Sequence, residues 1–175
     1  NINFTLDELL EFSSEAKTLW IDAKNINVAA NCNTLYKKIN DTYFDHQQIL
    51  VEFPSNTQID DVSVLSCMNK FRSANINISY YISNEDINDC YINLNKNNRT
   101  CKNLINKVSL INKQKIFNNI SFDYKFSKIL KKFKFKPTNL RLNTWHIDFN
   151  QVKDLDLNQY NLVIPYNSDH NKNTL

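Results

Sequence analysis

Apolar positions along this chain recur with two alternating periods, helical at about 3.6 residues and strand-like in short runs. Thr5-Leu6-Asp7-Glu8 has capping-box spacing, and Leu6, Leu9, Leu10 and Phe12 then predict an amphipathic helix ending near Lys17. A strand follows over Leu19 to Lys24, and Cys32, Leu35, Tyr36 and Ile39 repeat at helical spacing. Ile49-Leu50-Val51-Glu52-Phe53 is a near-continuous apolar run stopped by Pro54, the pattern of a buried parallel strand. Asp60 or Asp61 is placed to cap a helix whose inner face reads Val62, Leu65, Met68 and Phe71. Ile76 to Ile82 predicts the next strand. Leu104, Ile105, Val108 and Ile111 predict a helix, and Ile120 to Tyr124 another strand. Phe126, Ile129, Leu130 and Phe133 mark a helix with a basic outer face, ending before Pro137. Strands over Leu140 to Ile147 and Asn161 to Tyr166 close the pattern, with a short helix or turn around Val152 to Leu157.

Six strands interleaved with helices make a βα repeat, so the strands should be mostly parallel. Asp22, Glu52 and Tyr81 follow one another at about 30 residues, the length of one such unit. Two architectures meet this pattern: an arc of a (β/α)8 TIM barrel, or an open doubly wound parallel sheet. Both bind ligands at the carboxyl ends of the strands. That rule selects Asp22, Lys24, Glu52, Ser55, Tyr81, Asp123, Trp145, His146, Asn167, Asp169 and His170 as candidates.

Length and charge narrow the classes. The chain has 175 residues, the size of one α/β domain. A formal charge of +3 is too small to imply nucleic acid or an anionic membrane, and no apolar run reaches bilayer length. Because it opens on Asn1, the chain is expected to be a processed or excised piece. It contains no glycine, which excludes Gly-rich phosphate cradles and passes left-handed backbone positions to Asn and Asp. Cys32, Cys67, Cys90 and Cys101 form no C-x-x-C pair, so the expectation is free, buried thiols and a cytoplasmic setting rather than zinc. The five N-x-S/T sequons reflect the abundance of asparagine.

Three segments carry a family resemblance. Leu19-Trp20-Ile21-Asp22-Ala23-Lys24 resembles the strand of glycerophosphodiester phosphodiesterase and phospholipase-C-like barrels that bears an acidic residue, a spacer and a lysine. Leu142-Asn143-Thr144-Trp145-His146-Ile147-Asp148 is similar to that superfamily's late strand with its tryptophan. Asn161 to Asp169 is similar to its closing strand, in the same order and rough spacing. The superfamily's opening His-Arg strand and its metal-binding acidic pair have no counterpart before Asp22. The resemblance therefore implies the C-terminal portion of a larger barrel, about three βα units short of the roughly 250 residues of a complete one. By itself such a piece should turn over little substrate.

The residues support that chemistry on their own terms. Asp22 and Lys24 stand at i and i+2 of a strand and leave the same face. The carboxylate suits a divalent metal (Mg or Ca) and the ammonium a phosphoryl oxygen, the ordinary alternative being a strand-end salt bridge. Glu52 shares the parity of Leu50 among large apolar residues, so it must be paired or ligated, or else be a strand-end carboxylate meeting a helix cation. Lys24 and Glu52 are the catalytic candidates and Asp22 the metal ligand. Tyr81, Trp145, Asp169 and His170 are the substrate-binding candidates, with core packing the alternative for the two aromatics. His146, beside Trp145, should face the opposite way, toward core or helices. Lys128, Lys131, Lys132, Lys134 and Lys136 read as a solvated helix face able to steer an anionic substrate. The expected activity is metal-assisted hydrolysis of a small-molecule or polymer phosphodiester. The alternative is a catalytically degenerate barrel domain binding a phosphorylated or sugar ligand, within a surface-polysaccharide enzyme.

Overall fold

The computed structural model describes residues 18–41, 45–92, 94 and 99–166. The helix expected over Thr5 to Lys17, and the candidates Asn167, Asp169 and His170, lie outside them. The chain divides into two compact units, Asn1–Tyr80 and Tyr81–Leu175. In the first, β1 (Leu19–Asp22), β2 (Ile49–Phe53) and β3 (Asn77–Tyr81) pair in chain order and in parallel. In the second, β4 (Asn119–Asp123), β5 (Arg141–Asp148) and β6 (Tyr160–Tyr166) do the same. The molecule is an α/β fold with parallel strands, as the βα spacing predicts.

Helices α1 (Ala29–Asn40) and α2 (Val62–Ser73) supply the crossovers of the first unit. Asp61 caps α2, its Oδ1 accepting from the backbone N–H of Ser63 and Val64 at 2.8 and 3.0 Å. The buried stripe of α2 is Val64, Cys67, Met68 and Phe71. It is rotated from the predicted one, because Val62 in the first turn stays exposed and Cys67 turns inward. Phe71 anchors the layer, meeting Phe53 of β2 edge-on at 5.9 Å and Tyr36 of α1 at 5.3 Å.

The second unit begins with α3 (Asn84–Ile92), a helix the periodicity leaves invisible because only Ile87 and Cys90 are buried. Its start is signalled by Ser83, whose Oγ accepts from the Asp86 N–H at 3.1 Å. The helices α4 (Arg99–Gln114) and α5 (Lys125–Lys132) follow, burying Leu104, Val108 and Ile111 and Phe126, Ile129 and Leu130. No α-helix joins β5 to β6. The link consists of two 3-10 turns, Phe149–Asp154 and Leu157–Gln159.

All four cysteines are paired, which overturns the expectation of free thiols. Cys32–Cys67 ties α1 to α2, and Cys90–Cys101 ties α3 to α4. Each bond joins the buried faces of two packed helices, a proximity that residue spacing does not encode. Disulfides of this kind persist in oxidising compartments.

Among the described residues, left-handed backbone falls to Asn75, Lys115, Lys134 and His146, with φ of 59°, 56°, 51° and 55°. Only one of the four is the expected asparagine. Asn75 and Lys134 occupy the position after a helix C-cap where glycine is the usual residue. Ile76 N–H donates to Phe71 O at 2.9 Å and Phe135 N–H to Leu130 O at 3.0 Å, closing Schellman motifs. A helix end of this kind supplies donors to its last carbonyls, and in a glycine-free chain a residue with a side chain takes the left-handed position.

Candidate functional site

Parallel pairing brings the last residues of neighbouring strands to one edge. On β4, alternation sends Ile120 and Phe122 toward the helices, where Phe122 meets Phe126 at 5.0 Å. Asn119, Ser121 and Asp123 leave the opposite face. Ser121 and Asp123 stand in register with Asn143 and Trp145 of β5. This second face is polar yet buried: Ser121 and Asn143 have no exposed surface, and the Asn143 amide donates to Ser121 Oγ at 3.2 Å.

At the carboxyl end of that face, Asp123 and His146 meet. His146 Nδ1 lies 2.9 Å from Asp123 Oδ2, and Asp123 Oδ1 accepts from the Lys125 N–H at 3.0 Å. The Asp123 side chain is 11% exposed and the imidazole 65%. Simple alternation would place His146 opposite Trp145, toward the helices. Instead, the ladder to β6 shifts between Trp145 and Ile147, which leaves His146 as the additional residue of a bulge. Its left-handed φ turns the ring back onto Asp123. The expectation that His146 faces core or helices is thereby corrected. The signal for this was Pro165, paired with Ile147: proline has no N–H to give, so the ladder breaks beside it.

Left-handed backbone costs a non-glycine residue about 1–2 kcal/mol. Strain of that size persists where surrounding contacts enforce it, most often at functional sites. Here the enforcing contacts are the Asp123 bond and the Tyr124 N–H, which donates to Trp145 O at 3.0 Å. An ionised carboxylate only accepts, so the contact with Asp123 uses an Nδ1–H donor and leaves Nε2 as the ring nitrogen that Asp123 does not engage.

Beside the pair, Tyr81 and Trp145 stack with centroids 5.9 Å apart and planes at 22°. Both are half-buried, and Tyr81 Oη accepts from the Asn84 N–H at 3.3 Å. The two predicted aromatic wall residues are thus in contact.

In the first unit, Asp22 of β1 stands in register with Glu52 of β2, and Glu52 with Ser79 of β3. Lys24 Nζ lies 2.6 Å from Asp22 Oδ2, with the two side chains 70% and 49% exposed. The two form a surface ion pair at the carboxyl end of the strand, the ordinary alternative to a metal-and-phosphate site. Glu52 is 2% exposed, so the buried carboxylate inferred from strand parity is real. Among the described residues, no group of three or more His, Cys, Asp or Glu side chains gathers to hold a metal ion. No helix of the described residues is long and apolar enough to cross a membrane. Comparison of this chain with known protein families, with curated proteins and with solved structures finds no match.

Proposed function

We propose that the chain belongs to a (β/α)8-type barrel of the phospholipase-C-like kind and takes part in hydrolysis of a phosphodiester of glycerophosphodiester type, with His146 as its proton-transfer group. The observation that carries this reading is the contact of His146 with Asp123 at the carboxyl ends of β4 and β5. Phosphodiester cleavage needs a base to take a proton from the attacking oxygen and an acid to protonate the departing alkoxide. A histidine held by a buried carboxylate through Nδ1 does both through Nε2. The stacked Tyr81 and Trp145 supply a flat apolar wall for the alcohol portion of the substrate. In the first unit, Asp22 and Glu52 are two carboxylates on adjacent strands, a number that suits Mg2+ or Ca2+ held otherwise by water and phosphate. Within the first unit, such a cation and Lys24 would be suited to a phosphoryl oxygen and its charge. Asp169 and His170 would add substrate contacts.

The test uses the complete protein and a chromogenic phosphodiester, with Mg2+, with Ca2+ and with chelator. His146→Ala should lower kcat by about 10²- to 10⁴-fold, the usual contribution of general acid–base catalysis. Unaltered turnover in that variant would remove the reading. The aromatic stack favours a second reading, a non-catalytic domain that binds a phosphorylated or sugar ligand. Saturable binding without turnover, lost on Trp145→Ala, would decide for it.

A further inference from the structure

The basic segment of the second unit is more than a solvated helix face. Because the β5–β6 link lacks an α-helix, one flank of α5 stays uncovered, and a cavity of about 630 Å3 opens between α5 and the two 3-10 turns. That is within the size range of small-molecule sites. Its apolar lining comes from Leu130 and Leu142, both buried, with Phe135 and Leu155. The Schellman motif after α5 folds Phe135 back over Leu130, and the same turn carries Lys134 to the cavity. Lys128, Lys131, Lys134 and Lys136 line it together, while Asp154 and Asp156 face it from the link. Four lysines against two aspartates leave two positive charges in excess. Between them, the hydroxyls of Ser127 and Tyr160 bond to each other at 2.8 Å. Leu142 leaves the opposite face of β5 from Asn143 and Trp145, so this cavity lies across the strands from the Asp123–His146 pair.

We infer that this cavity is a second binding site, for a small phosphomonoester with an apolar body. The apolar lining takes the body. The lysines of α5 and its C-terminal turn take the phosphate, whose charge of about −1.5 to −2 at neutral pH matches the local excess. The inference does not depend on the catalytic reading of the other face.

Octyl phosphate is the probe, titrated calorimetrically into the complete protein below its micellar concentration. Inorganic phosphate, 1-octanol and octyltrimethylammonium are the comparisons, and each should bind at least tenfold more weakly. The exposed pair Lys128→Gln and Lys131→Gln should weaken octyl phosphate at least tenfold while the melting temperature holds. A second variant, Leu155→Trp, should block the cavity without touching charge. His146→Ala should leave the affinity unchanged. Binding that responds to His146→Ala and ignores the lysines would put the probe on the other face and overturn the inference. Octyltrimethylammonium binding as tightly as octyl phosphate, or no binding of octyl phosphate at all, would overturn it equally.

Discussion

His146 reaches Asp123 at 2.9 Å only because its backbone is left-handed, on a strand where every regular conformation would turn the ring away. A glycine at this bulge would hold the turn without strain. The chain contains no glycine and places a histidine there instead.

Replacing His146 by Gly should separate activity from stability. The variant loses the Asp123 bond and regains about 1–2 kcal/mol of backbone strain, so its melting temperature should stay close to that of the parent. Diesterase activity of the complete protein should fall as far as in His146→Ala. A melting temperature lowered by many degrees would show that the dyad is a structural tie.

Lys115→Gly tests the same strain where no function is proposed. Lys115 follows α4 with φ 56°, and glycine there should raise stability by about 1 kcal/mol. Urea unfolding of the two proteins measures the difference; a loss of stability would contradict it.

The disulfides should each contribute measurably. In the loop-entropy view, a bond closing 35 residues contributes about 4 kcal/mol and one closing 11 about 3 kcal/mol. Cys32→Ala with Cys67→Ala should thus destabilise more than Cys90→Ala with Cys101→Ala. Thiol titration of the unfolded, unreduced protein should find no free thiol.

Asp22→Asn and Lys24→Met should each cost under about 1 kcal/mol, since the pair is largely exposed and screened. If Asp22 also holds a cation, the first change should weaken the Mg2+ or Ca2+ dependence of turnover far beyond its effect on stability. Identical metal titrations of parent and variant would leave Asp22 as an ordinary strand-end charge.

At alkaline pH the second unit should weaken through Tyr160. Burial pushes its phenol above the ordinary value of 10.0, and burial does the same to Tyr124. A raised folded pKa means that the unfolded chain loses its proton first. The stabilisation is complete below about 10 and is lost as pH rises through the folded value. Tyr160→Phe should flatten that decline in chemical-denaturation midpoints measured from pH 9 upward. An unchanged slope would refute the linkage.

Local pattern was enough to determine the alternation of strands and helices, because burial on one side of an element writes itself into periods of two and 3.6. β2 over Ile49 to Phe53, the Asp61 cap and the inner faces of α1 and α4 were all legible in this way. So was the burial of Glu52, which follows from its place among large apolar neighbours. The contact of Tyr81 with Trp145 was legible as far as shared strand-end placement goes.

The remaining decisions were made by tertiary structure, since they depend on residues that only packing brings together. Cys32 meets Cys67, and Cys90 meets Cys101, through the docking of helices whose sequences say nothing of their partners. α3 forms with two buried side chains because its neighbours cover it, not because its own periodicity demands a helix. The lysines after Phe126 surround a cavity because the β5–β6 link omits a helix, a vacancy visible only beside α5. His146 inverts its face because Pro165, nineteen residues on, interrupts the ladder that alternation assumes. Periodicity records which side of an element is buried; it does not record which neighbour does the burying.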